Sequence, residues 1–265
     1  VCRSEHALDQ SLKDKIALFC NVPNRNVLQN LDVEYLYEAP LAMEKENLAK
    51  VACECLHLPC PDPDLDEWNE MIENLKHPEK EVRIALVGKY TQLHDAYISV
   101  VEALKHGGIS SRATVTIQWV DSERLTPDTI DSQLGEVSGI LVPGGFGSRG
   151  IDGKILAAQY ARENKIPYLG LCLGMQVAIV EFARHVCGLH DAHSIELDPK
   201  TTHPVIALMP DQDEDGDLGG TLRLGSYPCV LDHESKAYQL YGEETIQERH
   251  RHRYEVNITY EKQLN

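Results

Sequence analysis

An α/β fold built on a doubly wound, mostly parallel sheet is expected for this chain, and three observations carry that expectation. From residue 81 onward, strand-like apolar runs alternate with helical patterns. One run, residues 138–142, empties into the glycine-rich loop Pro143-Gly144-Gly145-Phe146-Gly147-Ser148-Arg149-Gly150. Another, residues 167–171, ends in Gly170-Leu171-Cys172-Leu173-Gly174 and passes straight into a helical pattern over residues 177–185.

Ahead of these elements, residues 58–64 form a proline-rich kink, followed by a helical stretch over residues 68–75. Residues 81–88 open like the first strand of an α/β domain, so a boundary falls near residues 75–81. Residues 97–105 read as a helix closed by Gly107-Gly108, a C-cap signal, and residues 114–120 as the next strand. There is no internal repeat.

Length and charge narrow the function classes. A chain of 265 residues can bury a substantial core as one large or two small domains. Its formal net charge of −17 argues against nucleic acid or an anionic membrane as a principal partner. No run of about 18 apolar residues and no basic–apolar–small leader occurs, so a soluble, unexported protein is expected. The eight cysteines are scattered along a chain large enough to fold without staples, and reduced thiols in a cytosol are expected.

Cys172 reads as an activated nucleophile. A nucleophile on a sharp strand-to-helix turn needs small neighbours, which Gly170 and Gly174 supply, and the helix N-terminus is expected to lower the thiol's pKa. The bland alternative is a buried structural cysteine. The glycine-rich loop leaves backbone N–H groups free to face an anion, as acyl transfer requires. Gly145-x-Gly147-x-x-Gly150 also fits a dinucleotide fingerprint, but Pro143 opens the loop and no acidic ribose partner follows at the right spacing. Two glycine-rich strand ends, one carrying a cysteine, favour a shared site.

Two metal tests fail. Asp211-x-Asp213-x-Asp215-Gly216 matches the first half of an EF-hand loop, but Leu222 stands where a bidentate Glu belongs and Pro210 where a helix should enter. Cys53, Cys55, His57 and Cys60 lack zinc spacing, since positions two apart on a helix point away from each other. No metal ligand is assigned.

Pro-Gly-Gly-Phe-Gly followed by Gly-Leu-Cys-Leu-Gly-Met-Gln resembles a class I, triad-type glutamine amidotransferase, a flavodoxin-like fold. The run Glu248-Arg249-His250-Arg251-His252-Arg253-Tyr254-Glu255-Val256-Asn257 and the stretch from Leu218 to Gly225 narrow the resemblance to the CTP synthase family. Lys15-Ile16-Ala17-Leu18-Phe19-Cys20-Asn21-Val22 is similar to the end of that family's P-loop-type synthetase domain. Val87-Gly88-Lys89-Tyr90, then Asp95-Ala96-Tyr97 and Glu102-Ala103-Leu104-Lys105-His106-Gly107-Gly108, resemble the start of its glutaminase domain. The resemblance spans essentially the whole chain and implies synthetase sequence over residues 1–78 and glutaminase over 79–265.

By that resemblance, Cys172 attacks the side-chain amide of L-glutamine to give a glutamyl thioester and ammonia. Gly145 and Leu173 match the residues whose backbone N–H groups form the oxyanion hole. Leu173, Gly174, Met175 and Gln176 match the stretch lining the glutamine site. Glu196 matches a carboxylate that receives the substrate's α-ammonium, and Arg253 the arginine that holds its α-carboxylate. Phe146 packs beside the site. Lys15 matches a lysine on the UTP or CTP phosphates, and Leu31, Asp32 and Val33 a backbone segment against the adenine of ATP. His250 and His252 sit among arginines that are expected to depress their pKa, and neither is assigned as the base.

Two departures bear on activity. The family's catalytic His and Glu come from a His-Pro-Glu motif near its C-terminus; here those letters occur only as His77-Pro78-Glu79, ahead of the first glutaminase strand. The P-loop and magnesium-binding acids of the synthetase half do not occur either. A fragment is expected, with a nucleophile, an oxyanion hole and half a glutamine pocket but poor turnover alone, and with residues 1–78 poorly packed alone. For the complete enzyme the resemblance implies ATP-dependent amination of UTP to CTP with magnesium, GTP as activator, CTP as inhibitor, and a cytoplasmic homotetramer. Two other readings stand beside this one. A glutaminase serving GMP or anthranilate synthesis is disfavoured by the Arg-His-Arg-His-Arg run. A non-catalytic assembly module that keeps the fold is favoured by the absent base and disfavoured by the intact Cys172.

Overall fold

The computed structural model describes residues 1–208 and 223–265, which group into two compact units. The acidic run at 211–217 lies outside the described residues.

The first unit comprises Val1–Lys80 and His106–Thr114. Strand β1 (Cys2–Ser4) pairs in parallel with β2 (Gln29–Leu31). Between them runs α1 (Gln10–Cys20), started by Asp9, whose carboxylate accepts from the Leu12 N–H, and stopped by Asn21 in the left-handed region. Helices α2 (Ala39–Lys45), α3 (Leu48–Leu56) and α4 (Asp66–Lys76) follow. Lys13 on α1 pairs at 2.9 Å with Glu46, which also accepts from the Gln29 side chain. The interior is small: Ala17, Val27, Leu28, Ile72 and Ile109 are buried, while Leu18 and Phe19 are 79% and 88% exposed.

The second unit comprises Glu81–Lys105 and Val115–Asn265. In chain order it holds most of β3 (Lys80–Gly88), of α5 (Ile98–Ser110) and of β4 (Ala113–Asp121), then α6 (Ile130–Leu134), β5 (Gly139–Val142), α7 (Ile151–Glu163), β6 (Tyr168–Gly170) and α8 (Leu173–His185). The four strands form one sheet in the order β4-β3-β5-β6, with β3, β5 and β6 parallel. The strand pleat explains why helices cover both faces. Ala85, Val87, Ile140 and Val142 face Ile155, Ala157, Val177 and Val180 of α7 and α8. Their neighbours Leu86 and Leu141 face Tyr97, Val100, Val101 and Leu104. This is the doubly wound α/β architecture expected from the alternation.

Helix α5 corrects one expectation. It runs through Gly107-Gly108 to Ser110, and the left-handed residue that follows it is Arg112 at φ 50°. A cap glycine works by adopting positive φ; neither of these does, and Gly108 is simply buried.

The remainder is β7 (His193–Ser194), β8 (Pro204–Leu208), β9 (Arg223–Val230), α9 (Lys236–Tyr241), β10 (Thr245–His252), β11 (Tyr254–Val256) and α10 (Glu261–Leu264). Strands β11, β8 and β7 form one small sheet, and β9 pairs antiparallel with β10.

One ion pair fixes the helices that start at the two glycine-rich strand ends. Glu181 on α8, 2% exposed, receives Arg162 of α7 through Nε at 3.1 Å and Nη2 at 2.7 Å. Glu181→Ala removes a buried partner, and because Arg162 still reaches solvent the expected cost is about 2–3 kcal/mol in urea unfolding, with the m-value unchanged.

Candidate active site

The apolar strand β6 delivers the chain to Leu171, whose N–H donates to the Val142 carbonyl at 3.0 Å. Cys172 then adopts φ 53°, ψ −106°, a strained conformation for a residue with a side chain, and α8 begins at Leu173. The glycines on either side are required by space. A Cβ on Gly170 would lie 2.4 Å from Gly174 backbone atoms, and one on Gly174 would lie 2.0 Å from the Val142 oxygen. Strand β5 ends in the same place: a Cβ on Gly144 would be 3.4 Å from that of Cys172.

The two strand ends open onto a cleft of about 340 Å³ lined by Gly145, Phe146, Cys172, Leu173, Gln176, Glu196, Arg251, His252, Arg253 and Tyr254. Six of the residues assigned from the sequence meet there: Gly145, Cys172, Leu173, Gln176, Glu196 and Arg253. Gln176 is buried and donates to the Tyr254 carbonyl at 3.1 Å, tying the first turn of α8 to β11. Gly174 does not line the cleft; it packs on Val142, and its carbonyl accepts from the Tyr168 hydroxyl at 2.8 Å. Met175 is 42% exposed and is also not part of the lining. Phe146, 75% exposed, stands in the lining as an open aromatic face.

The electrostatics correct the expectation for the thiol. Burial pushes the Cys172 pKa up, and the Glu196 charge pushes it further; the Leu173 N–H opposes them without prevailing. The start of α8 therefore does not produce a depressed thiol, because desolvation is the larger effect. Burial likewise raises Glu196, with the Arg253 charge opposing. His252 is lowered chiefly by burial and then by His250, whose Nδ1 lies 2.8 Å from His252 Nε2; the arginine that adds a minor lowering is Arg223 of β9, not one of the 249–253 run. The pH profile of Cys172 alkylation by iodoacetamide is expected to lie above that of an ordinary thiol. Glu196→Gln is expected to move it to lower pH by removing a like charge, while burial keeps it above the ordinary range.

Arg251, His252 and Tyr254 join the lining from the run already noted. Lys154 was not foreseen: it is 1% exposed, inside α7. Among the residues assigned to nucleotides, Lys15 is exposed on α1, Leu31 closes β2, Asp32 pairs with Arg3 at 3.1 Å, and Val33 is half-buried. His77 caps α4, and Glu79 pairs with Arg112 at 2.5 Å. Among the described residues, no group of three or more His, Cys, Asp or Glu side chains could hold a metal ion. Nor is any described helix long and apolar enough to cross a membrane.

Known proteins resemble this chain in sequence and in fold. The profile for glutamine amidotransferase class-I matches residues 92–264, and that for the CTP synthase N-terminus matches residues 1–58. The glutaminase domain of Trypanosoma brucei CTPS, solved with bound acivicin, superposes with a TM-score of 0.65 at 44% identity, over 69% of this chain and 71% of that one. The chain belongs to the CTP synthase family of class I glutamine amidotransferases. The CTP synthase of Caldanaerobacter subterraneus is 56% identical over 264 residues, 100% of this chain and 49% of the relative. That of Ruminiclostridium cellulolyticum is 57% identical over 257 residues, 97% of this chain and 48% of the relative. The chain thus spans about half the length of the curated CTP synthases it matches.

Proposed function

We propose that this chain supplies the glutamine-hydrolysing part of ATP-dependent CTP synthesis from UTP, residues 79–265 acting as the glutaminase and residues 1–78 belonging to the synthetase. The observation that carries the reading is the convergence of Cys172, the Gly145 and Leu173 backbones, and the Glu196 and Arg253 charges on one cleft. In this reading Arg253 and Glu196 hold the α-carboxylate and α-ammonium of glutamine, which fixes its side-chain amide over Cys172. The thiolate adds to the amide carbon, and the Gly145 and Leu173 N–H groups receive the oxyanion. Collapse, with a proton taken from water, releases ammonia and leaves a thioester that water then cleaves to glutamate, while the ammonia displaces phosphate from the 4-position of UTP phosphorylated by ATP.

ATP phosphorylates UTP in the complete reaction, with Leu31–Val33 and Lys15 as the nucleotide contacts of this chain. No described cluster fits magnesium, so no step of this chain is derived through it. Activation by GTP, inhibition by CTP, tetramer assembly and a cytoplasmic setting belong to the same proposal.

The test is labelling with a γ-glutamyl diazoketone, with the adduct located by peptide mass spectrometry. One adduct per chain on Cys172, suppressed by glutamine, is the expected result. A folded chain that stays unlabelled, or one labelled without protection by glutamine, refutes the reading and leaves an assembly module that keeps the fold.

A further inference from the structure

Lys154 occupies a place that disfavours a cation on three counts. It is 1% exposed. It lies in the first turn of α7, where unpaired N–H groups present positive potential. The charge that acts on it is another cation, Lys89, and no carboxylate among the described residues forms an ion pair with it. A buried, unpaired ammonium is strongly destabilising, so its natural complement is an anion that arrives.

Packing puts this ammonium under the oxyanion loop. A Cβ on Gly153 would lie 1.9 Å from the Ser122 carbonyl oxygen, so α7 presses flat onto the chain following β4 and encloses the next side chain. A Cβ on Gly145 would lie 3.9 Å from Lys154 Nζ and 3.8 Å from Leu173 Cδ2. The loop is held from a second point, since Lys89 Nζ donates to the Phe146 carbonyl. Burial and Lys89 bring the Lys154 pKa down to about 8, which leaves the ammonium mostly charged at neutral pH.

We propose that Lys154 is a positioning residue for the oxyanion loop: its ammonium fixes the Gly145 peptide with the N–H toward Cys172 and balances the negative charge that forms there. The inference rests on the glutaminase reading. As the Cys172 sulfur bonds to the amide carbon of glutamine, the carbonyl π pair moves onto oxygen. As the intermediate collapses, that pair re-forms the C=O bond and the C–N bond breaks. The nitrogen leaves as ammonia with a proton taken from water, leaving hydroxide. Lys154 keeps its proton throughout. Its charge is balanced only in the tetrahedral state, so it acts on the chemical step rather than on binding.

The test uses the chloroketone analogue of glutamine, whose ketone oxygen becomes anionic as Cys172 adds; the net products are a thioether and chloride. Inactivation is followed for the wild-type chain and Lys154→Met, with circular dichroism confirming the fold of each. The expected result is a fall in the maximal inactivation rate of roughly 10- to 100-fold, below the ~100- to 1,000-fold seen when an oxyanion donor itself is removed. The half-saturating concentration and the protection by glutamine are expected to stay within about twofold. An unchanged rate overturns the proposal, as does a loss confined to binding. If Lys154→Met does not fold, Lys154→Gln is measured; failure of both to fold makes the lysine structural support and also overturns it. A folded wild-type chain inert to both the diazoketone and the chloroketone points elsewhere, to failure of the glutaminase reading itself.

Discussion

Cys172→Ala is expected to abolish the glutamine-protectable adduct, and in any assay of glutamine hydrolysis to lower the rate by ~10³-fold or more, since no other group in the cleft can form the thioester. Seven further cysteines remain in that variant, so the readout is the Cys172-containing peptide rather than total thiol. The fold gives the prediction a second half. With φ 53° and ψ −106°, Cys172 holds its side chain where glycine is favoured, and such strain is of order 1–3 kcal/mol. Cys172→Gly should therefore be as inactive as Cys172→Ala yet more stable than it. Setting the extra freedom of glycine in the unfolded chain against the relieved strain leaves roughly 1 kcal/mol. Urea unfolding of the two variants checks this. Equal stabilities, or a less stable glycine variant, would mean that the turn is not strained. An elbow that sacrifices stability to lift one thiol into a cleft is what a nucleophile needs and a structural cysteine does not.

How much of this was legible in the sequence depended on whether the information was local. The elbow was readable because its constraint is local: a strand running into a helix leaves room only for glycine two residues to either side of Cys172, at Gly170 and Gly174. The glycine-rich loop after β5 was readable for the same reason. Glu196 and Arg253 were not readable from spacing. One follows β7 and the other joins β10 to β11, and only the tertiary fold brings them to Cys172, so the resemblance alone indicated them. Gly107-Gly108 misled because glycine permits positive φ without requiring it. The thiol misled because a helix N-terminus is visible in sequence, whereas the burial that outweighs it is not. Lys154 gave no signal at all. A lysine four residues into a helix reads as a solvated side chain, and only the closeness of Gly153 to the Ser122 backbone turns that position inward.

Gly174→Ala is expected to damage the fold severely. The added methyl would stand 2.0 Å from the Val142 oxygen and 2.9 Å from its carbonyl carbon, both backbone atoms at the end of a central strand. A flexible side chain could swing away; a strand carbonyl already accepting from the Leu171 N–H at 3.0 Å cannot do so without moving the elbow. Overpacking of this kind costs about 1–3 kcal/mol where the surroundings can adjust, and more where backbone must shift, so roughly 3 kcal/mol or more is expected here. The gain of about 0.5–1 kcal/mol from replacing a helical glycine by alanine offsets only part of it. For a unit of this size the drop in Tm is expected to be roughly 6–12 °C. Gly107→Ala isolates the opposing effect: that glycine is also helical, with nothing within 4 Å of the added atom, and its variant is expected to be stabilised by up to about 1 kcal/mol. The same methyl should thus destabilise at 174 and stabilise at 107. Near-neutral behaviour at 174 would show that β5 and α8 can separate at little cost, and the elbow would then lack the rigid seat that holds Cys172 against Gly144.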